Sequence, residues 1–458
     1  MQNHSFKAGA AQVDITPPLG TVINGEFTSR YATKIADSLY AKALVLQDEV
    51  ITLLVVMVDI CAMQRDFLDK IKLTIQDETG IPPQHQLIAS THTHSAGSVT
   101  DLLMGHVDWA YRKKLPALIV QAVKAAYENR RPAKIGWGSV DQPQYLLCRR
   151  YQMDAGYQAV NPVTGALDAV KTNPFADEHR IADSTTTPDP GLGYLAIQDM
   201  DGKWIGLLAN YSLHYVGDCE RGTITADYFG CFARSIASQL GAATDFVGMM
   251  SNGTSGEINS WDFRNPDRYP KGNHEKSQLI GTELATAVVE SLPHVAWETN
   301  PALGISYTDM PIAVRKPSEA ELAKAQQVVQ ETDYEHIAFG SPRFFEQVYA
   351  REQVLLTEFP DQKTFPVQSF QIGSGVIGAL GGEFFSQTGL QLKSVGPAGK
   401  YFTICLANDY VGYVPPAQEL ARGGYECWRC RSSHLVADAE EKIRATLAHH
   451  LTSYGQLV

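Results

Sequence analysis

Residues 50–95 carry the pattern that predicts the fold, and they read VITLLVVMVDICAMQRDFLDKIKLTIQDETGIPPQHQLIASTHTHS. Residues 50–58 are nearly all apolar and follow an apolar run at 43–47, which predicts two paired strands, the second of them buried. Residues 65–77 have apolar side chains at helical spacing, and a further strand is expected at 87–89. The segment therefore predicts a strand, a helix and a second strand.

The segment ends in THTHS, which places two histidines one residue apart after the last predicted strand. In an extended chain alternate residues point to the same side, so His92 and His94 are expected to project into one crevice. Ligands of open α/β sheets bind at the carboxyl ends of the strands, and imidazole is a common metal ligand. The pair predicts a metal site, and the alternative is a chance pairing of two histidines on a surface loop.

Four more predicted strands end in polar, reactive residues. They are 204–211, which leads to His214; 245–250, which leads to the glycine-rich loop 251–257; 376–380, which leads to Glu383; and 401–407, which leads to residues 408–413. Helices are expected at 107–129, 228–240, 275–291, 318–332 and 437–451. This alternation predicts an α/β fold with mixed sheets flanked by helices and one active site at the carboxyl ends of strands.

The rest of the chain suggests one domain over residues 1–458, with room for a smaller lobe around 295–370. Residues 154–190 are rich in Asn, Pro, Asp, Thr and Gly and are expected to form a long loop, and loops of that length are usually functional or mobile. Whether this loop acts as a lid is left open.

Composition and charge exclude several classes of function. A net charge of -12 argues against nucleic acid or an anionic lipid surface as a charge-driven partner. The apolar run 50–63 contains Asp59 and is too short for a transmembrane segment. No signal peptide is recognisable, so a cytoplasmic location is the default expectation, or a secreted or periplasmic one if a leader was removed.

The seven cysteines are odd in number and scattered, which does not suggest a disulfide framework. Cys427 and Cys430 form a lone C-x-x-C with His434 four residues on. One such pair is weak support for zinc or redox chemistry, so the role of these two thiols stays open.

Short motifs along nearly the whole chain resemble those of the neutral (non-lysosomal, alkaline) ceramidases. In chain order they are Ala8-Gly9, residues 14–18 (DITPP), residues 37–43 (DSLYAKA), Val58-Asp59, residues 90–95 (STHTHS), His214, residues 225–230 (TADYFG), the loop 253–259, residues 382–384 (GEF), Asn408, Tyr410 and Tyr413 of an N-x-Y-x-x-Y run, and Tyr425-Glu426. The set is specific for a superfamily and less specific for a substrate.

The resemblance implies a zinc-dependent hydrolase of N-acyl amide bonds. In that family four motif positions bind one Zn²⁺ ion, and the matching residues here are His92, His214, Glu383 and Tyr413. Imidazole and carboxylate are ordinary zinc ligands, whereas tyrosine is less usual. The implied reaction is attack of zinc-bound water on the amide carbonyl, which converts ceramide into a sphingoid base and a fatty acid.

The same resemblance implies catalytic and substrate-binding roles for three further residues. These are His94, Tyr425 and Arg149, which would donate to the tetrahedral oxyanion. Arg149 lies in a Cys-Arg-Arg run where the family has Asn-Arg, so a shift of one residue would exchange it with Arg150.

The chain departs from the family at a position that bears on mechanism. Asn259 stands where ceramide-hydrolysing members carry a serine that has been considered a nucleophile, and asparagine cannot serve as one. Glu257 replaces an aspartate and is either an acid or proton relay in catalysis or a cap of the turn.

A second departure leaves the substrate open. The chain ends soon after the helix that begins near residue 437, which leaves no room for the C-terminal immunoglobulin-like domain of the ceramidases. Residues 94–98 also read HSAGS in place of the family's HSGPG. A polar N-acylated amino sugar or another small amide or ester is the alternative substrate, for which polar pocket walls are expected, and a non-catalytic metal-binding protein is the alternative outside enzymes. The oligomeric state is not predicted.

Overall fold

A computed structural model describes residues 5–454, and two β-sheets organise them. The larger sheet has nine strands, in the order Val247–Asn252, Trp204–Tyr211, Gly191–Asp199, Arg131–Asp141, Lys7–Asp14, Tyr40–Gln47, Thr52–Val58 and Gln86–Ser90, with Trp297–Glu298 paired to Arg131–Asp141. The four-stranded sheet has the order Leu303–Ala313, Gln362–Ile372, Gly375–Leu380 and Tyr401–Ile404.

Nine α-helices are found among the described residues. They are α1 (Arg65–Thr79), α2 (Trp109–Glu128), α3 (Asp227–Gln239), α4 (Glu275–Ser291), α5 (Glu319–Gln330), α6 (Phe344–Leu356), α7 (Ser386–Lys393), α8 (Ala417–Arg422) and α9 (Ala439–Tyr454). None of these helices is both long and apolar enough to cross a membrane.

The two sheets pack face to face between layers of helices. Along the strand Tyr40–Gln47, Ala43 and Val45 contact the apolar faces of α1 and α2, whereas Leu44 and Leu46 point to the other side. There they join a core with Phe370 and other residues of the four-stranded sheet. Since α9 covers the far face of that sheet, the order of layers is helices, sheet, sheet, helices.

The predicted strand, helix and strand of residues 50–95 are present. Thr52–Val58 pairs antiparallel with Tyr40–Gln47 and parallel with Gln86–Ser90, and α1 makes the crossover. Val50 was expected in the strand, but it lies in the turn, where Asp48 Oδ1 accepts hydrogen bonds from the backbone N–H groups of residues 50 and 51. The predicted α/β fold with mixed sheets is confirmed.

Residues 154–190 were expected to be a loop without regular structure, and this is wrong in part. The segment contributes the hairpin Ala159–Val160 and Leu167–Asp168, as well as the strands Val170–Thr172 and Ile181–Ser184 that flank Arg150–Met153. The remaining short strands are Val22–Ile23 with Arg30–Tyr31, Lys34–Ile35 with Thr223–Ile224, Leu147–Cys148 with Ile258–Asn259, and Glu383–Phe384 with Tyr413–Val414.

Candidate active site

His92 and His94 of the THTHS run lie close together, but not because the chain is extended there, as was predicted. The strand ends at Ser90, and His92 adopts a left-handed backbone conformation with φ of 77°, so residues 92–94 are not extended. The backbone N–H of His92 is fixed by the Ile60 carbonyl at 3.0 Å. Even so, His94 Nε2 lies 3.2 Å from His92 Nε2. A strained backbone held in this way is typical of functional sites.

Three buried side chains converge at the centre of the site. His92 Nε2 lies 3.1 Å from His214 Nε2. Glu383 Oε2 lies 3.4 Å from the first of these nitrogens and 3.5 Å from the second. His214 follows the strand Trp204–Tyr211, and Glu383 follows the strand Gly375–Leu380 of the other sheet. The three side chains therefore lie where the ends of strands from both sheets meet, an arrangement of two sheets that the sequence did not predict.

Both imidazoles direct their Nε2 atoms at this centre. His92 Nδ1 lies 2.7 Å from the Cys61 carbonyl oxygen, and His214 Nδ1 lies 3.1 Å from the Ser255 carbonyl oxygen. A carbonyl oxygen only accepts, so each Nδ1 carries a proton, and in the neutral form of each ring Nε2 holds the lone pair. Burial, together with Arg149, lowers the pKa of His214 well below its usual range, which keeps this imidazole neutral.

The centre favours a positive charge. Burial opposes protonation of His92, but the Glu383 carboxylate beside it raises the pKa of His92 well above its usual value. Glu383 Oε2 is buried and has no hydrogen-bond partner, since Tyr410 donates to Oε1 at 2.8 Å. With both rings neutral, two lone pairs and one carboxylate oxygen would face one another without a donor between them. Only a proton or a cation satisfies them.

The spacing of these atoms fits a zinc ion. Ligand atoms about 2.0 Å from a tetrahedral Zn²⁺ lie roughly 3.3 Å from one another, and the three distances here are 3.1, 3.4 and 3.5 Å. A second group of potential ligands comprises Cys61, His92 and His94. It is the less suitable one, because Cys61 Sγ approaches the Nδ1 side of His92, which is already bonded to a carbonyl oxygen.

The fourth predicted ligand, Tyr413, lies on the same cavity and pairs with Glu383 in a short parallel ladder. Its phenol accepts a hydrogen bond from Arg149 Nη2 at 2.9 Å. Burial raises the pKa of Tyr413 well above its usual value, whereas the guanidinium of Arg149 opposes that shift. Of the four predicted ligands, this phenol is the one supported by position alone.

The choice between the two adjacent arginines is settled by their surroundings. Arg149 lines the cavity, donates to Glu426 at 2.8 Å and to the Gly256 carbonyl at 2.7 Å, and so points a fixed charge at the site. Arg150 is fully buried on the other side of the chain, where its guanidinium pairs with Glu426 and Glu419. Of the two arginines, Arg149 is therefore the one that lines the cavity.

His94 and Tyr425 also line the cavity. The His94 ring stacks on Tyr215 with 3.7 Å between centroids, and its Nδ1 is buried without a hydrogen-bond partner. Gly25 packs against this ring with φ of 105°, and a Cβ there would lie 2.5 Å from His94 Cγ. Burial and the neighbouring His92 lower the pKa of His94 well below its usual range.

The cavity has a volume of about 650 Å³ and walls that are mostly apolar. One group of wall residues is formed by Phe27, Leu102, Leu103, Phe339, Phe345 and Trp428, and a second by Val160, Val170, Phe175 and Trp261. Phe27 contacts Phe339 and Phe345, and Phe175 contacts Trp261. The histidines and Glu383 line the same space. An apolar chain and a polar reacting group therefore fit in it together.

Glu257 is not brought to this cavity. It is fully buried, and both of its carboxylate oxygens accept from the backbone N–H of Ser386 at the start of α7, at 3.0 and 3.1 Å. This arrangement favours the capping role over the catalytic one. Asn259 is also absent from the cavity walls, and its side chain donates to Asn173.

The buried carboxyl of Glu257 gives a prediction about stability. Burial raises its pKa to about 7, so the folded state holds this proton more tightly than the unfolded chain does. The resulting stabilisation is present below pH of about 4.5 and is lost as the pH rises to about 7. We expect the free energy of unfolding of Glu257→Gln, measured as a difference from the wild type, to increase by about 3 kcal/mol when the pH is raised from 4.5 to 8. Urea titrations of both proteins test this, and a difference that does not change with pH contradicts it.

The C-x-x-C pair is not a metal site in this arrangement. Cys427 and Cys430 are both buried, and burial raises the pKa of each thiol to about 12. His434 Nδ1 bonds the Arg431 carbonyl, and these three residues do not form a cluster of ligand atoms. Thiols of this kind are unreactive packing residues.

Sequence reasoning missed several parts of the site. Tyr410, which donates a hydrogen bond to Glu383, belongs to the N-x-Y-x-x-Y run, but that run by itself does not indicate what Tyr410 does. The buried carboxylate of Glu426, beside Tyr425 in the sequence, holds Arg149. The backbone carbonyl groups of Cys61 and Ser255, which bind the two imidazoles, cannot be recognised from the sequence, because every residue has a carbonyl group.

Two solved structures share this fold. The neutral ceramidase from Pseudomonas aeruginosa matches over 97% of this chain and 73% of its own, with a TM-score of 0.70 and 15% sequence identity. A ceramidase complexed with C2 matches over 99% of this chain and 76% of its own, with a TM-score of 0.70 and 14% identity. No protein-family model and no curated protein matches the sequence. The chain has the neutral ceramidase fold, as its motifs predicted.

Proposed function

We propose that this protein is a zinc-dependent hydrolase of an N-acyl amide bond whose substrate is a ceramide-like lipid amide. The observation that carries the proposal is the convergence of His92 Nε2, His214 Nε2 and Glu383 Oε2 without a donor, at an apolar cavity. The fold that the chain shares with two ceramidases supports the same reaction class. Fold alone does not determine function, and the chemistry of the site is the main support for the proposal.

His92, His214, Glu383 and Tyr413 would hold the ion. When bound, Zn²⁺ lowers the pKa of a water molecule and polarises a carbonyl group. The two backbone carbonyl groups that accept from the imidazole Nδ1–H groups fix both ring orientations. Asn259 offers no nucleophile, which agrees with a mechanism that uses water.

Three residues would act on the substrate. Arg149 brings a permanent charge to the cavity and is itself held by Glu426, so it is rigid enough to stabilise a developing oxyanion. Burial raises the pKa of Tyr425 far above its usual value, which keeps its phenol protonated and able to donate. The imidazole of His94, whose Nε2 lies 3.2 Å from His92 Nε2, would exchange a proton with the leaving amine.

The walls of the cavity favour a lipid over a polar amide. A pocket for an N-acylated amino sugar needs several convergent donors and acceptors along its length, whereas most of the wall surface here is apolar, with ten Phe, Leu, Val and Trp side chains among the lining residues. Burial of apolar chains yields about 25 cal/mol per Å², which is a sufficient driving force for a long-chain amide.

The proposal is tested by release of fatty acid from a fluorescent short-chain ceramide, with an N-acetylated amino sugar as the second substrate. The purified protein is assayed after its zinc content is measured, beside His92→Ala and the exposed control His449→Ala. We expect about one zinc per chain, turnover of the ceramide, and loss of both zinc and turnover in His92→Ala alone. Turnover of only the amino sugar would overturn the lipid assignment, and full activity without metal would overturn the mechanism.

Tyr410 gives a prediction about metal affinity. Its hydroxyl donates to Glu383 Oε1 and leaves Oε2 directed at the two imidazoles. Loss of such a supporting hydrogen bond typically weakens metal binding about 10- to 100-fold, and we expect this for Tyr410→Phe. Competition with a zinc chelator measures it. Tyr454→Phe, which removes a buried hydroxyl bonded to Ser369, is the matched control and should leave zinc affinity unchanged.

A further inference from the structure

Asp168 joins two parts of the cavity wall that are distant in the sequence. Its Oδ2 accepts from Trp428 Nε1 at 2.6 Å and from the backbone N–H of Gly424 at 3.0 Å. Trp428 and Gly424 line the cavity, and so do Ala159 and Val160 of the hairpin that ends at Asp168. Hydrogen bonds to a carboxylate are roughly twice as strong as those between neutral groups.

The same carboxylate also organises the hairpin itself. Its Oδ1 accepts from Asn161 Nδ2 at 3.1 Å. Asn161 Oδ1 in turn accepts from the backbone N–H of Val163 at 2.9 Å and so fixes the turn of the hairpin. Val163 packs against a cluster that includes Phe27 and Leu103 of the other group of wall residues. The hairpin is thus held at its base by Asp168 and at its tip by apolar contacts.

The backbone of residues 422–424 lies in close contact with the Asp168 carboxylate. Gly423 has φ of 76°, and a Cβ at this position would lie 1.9 Å from Asp168 Oδ1. The backbone N–H of Ala169 donates to the Arg422 carbonyl at 2.8 Å, next to this contact. The loop 422–428 also carries Tyr425, so the hairpin and a proposed donor to the substrate are fixed to each other.

We infer that Asp168 is a specificity-determining residue that holds the hairpin 159–168 as a fixed wall of the apolar part of the cavity and thereby favours amides with long acyl chains. The inference rests on the proposed function. The exposed fraction of Val160 is 59%, although it lines the cavity, so its apolar surface is available to a bound chain. A short acyl group that fills only the polar end does not depend on this wall.

The experiment compares Asp168→Ala, Asp168→Asn and the control Asp183→Ala, which changes an exposed aspartate of the same segment. The substrates are a C2 and a C16 amide of one sphingoid base. If the hairpin is ordered only about a tenth of the time in Asp168→Ala, the KM for the C16 amide rises about tenfold, because the competent fraction falls by that factor. The KM for the C2 amide should rise by a smaller factor, so the ratio of the two KM values reports the loss of the hairpin wall, whereas a change in kcat common to both amides reports displacement of Tyr425. In Asp168→Asn the side-chain carbonyl can still accept a hydrogen bond from Trp428. This variant should therefore retain most of the preference for the C16 amide.

Hydrogen exchange of residues 159–168 provides a readout that needs no turnover. Exchange is expected to accelerate in Asp168→Ala and to stay near the wild-type rate in Asp183→Ala. Unchanged exchange, or a KM that rises equally for C2 and C16, overturns the inference. If the wild type hydrolyses neither amide, the proposed function is what fails, and the exchange result still decides whether Asp168 holds the hairpin.

Discussion

Replacement of Glu383 by Gln is expected to reduce hydrolysis by at least about a thousandfold, or about 4 kcal/mol of transition-state stabilisation. The substitution keeps the size and shape of the side chain but removes the negative charge that faces His92 and His214. Two neutral imidazoles and an amide hold a divalent cation less well than two imidazoles and a carboxylate. We therefore expect zinc affinity and rate to fall together.

The measurement pairs zinc content after dialysis with kcat/KM for the lipid amide. Glu128→Gln, on an exposed face of α2 away from the cavity, removes the same charge elsewhere and should behave as the wild type. A fall in rate with unchanged zinc affinity would place Glu383 in substrate binding instead. Unchanged rate and affinity would refute the metal centre as described.

Replacement of Arg150 by Met is expected to destabilise the fold by about 3–5 kcal/mol, the cost of removing one partner from buried ion pairs. Arg150 donates to Glu426 at 2.9 Å and to Glu419 at 3.1 Å, and all three side chains are almost completely buried. Its guanidinium also donates to the Gly423 carbonyl at 2.9 Å. Methionine fills much of the volume but satisfies none of these acceptors.

Chemical denaturation at pH 7 checks this value. The matched control is Arg180→Met, which breaks a partly exposed pair with Asp154 and should cost less than about 1 kcal/mol. Equal effects of the two substitutions would contradict the importance of burial. We also expect weaker hydrolysis in Arg150→Met, because the loop that Arg150 anchors carries Tyr425.

The sequence predicted elements well where apolar runs are dense and clearly bounded. The strand Thr52–Val58 and helix α1 are examples, since Gly80 ends the helix in a left-handed conformation. The strands Arg131–Asp141 and Leu303–Ala313 were not predicted, because many of their side chains are only partly buried. The positions of these two strands in their sheets are determined by pairing with strands that are distant in the sequence. A local sequence pattern carries no information about such pairing.

In the candidate site, too, some features were predicted from the sequence and others were not. His92, His214, Glu383 and Tyr413 were predicted through motifs, and all four lie on one cavity. The left-handed backbone of His92 was not predicted, because it results from a hydrogen bond to Ile60 across the sheet. The capping contact of Glu257 with Ser386 likewise joins segments far apart in the chain. Contacts of this kind become visible only once the fold is known.

The position of the site between the two sheets has a thermodynamic consequence. His92 and His214 follow strands of the nine-stranded sheet, whereas Glu383 and Tyr413 follow strands of the four-stranded sheet. An ion held by all four would act as a cross-link between the layers and would bind the folded state only. Free zinc at a hundred times its dissociation constant would then add about 2.7 kcal/mol to the free energy of unfolding. The midpoint of thermal unfolding would report the free zinc concentration around the protein, and a chelator would loosen the contact between the sheets as it stops the chemistry.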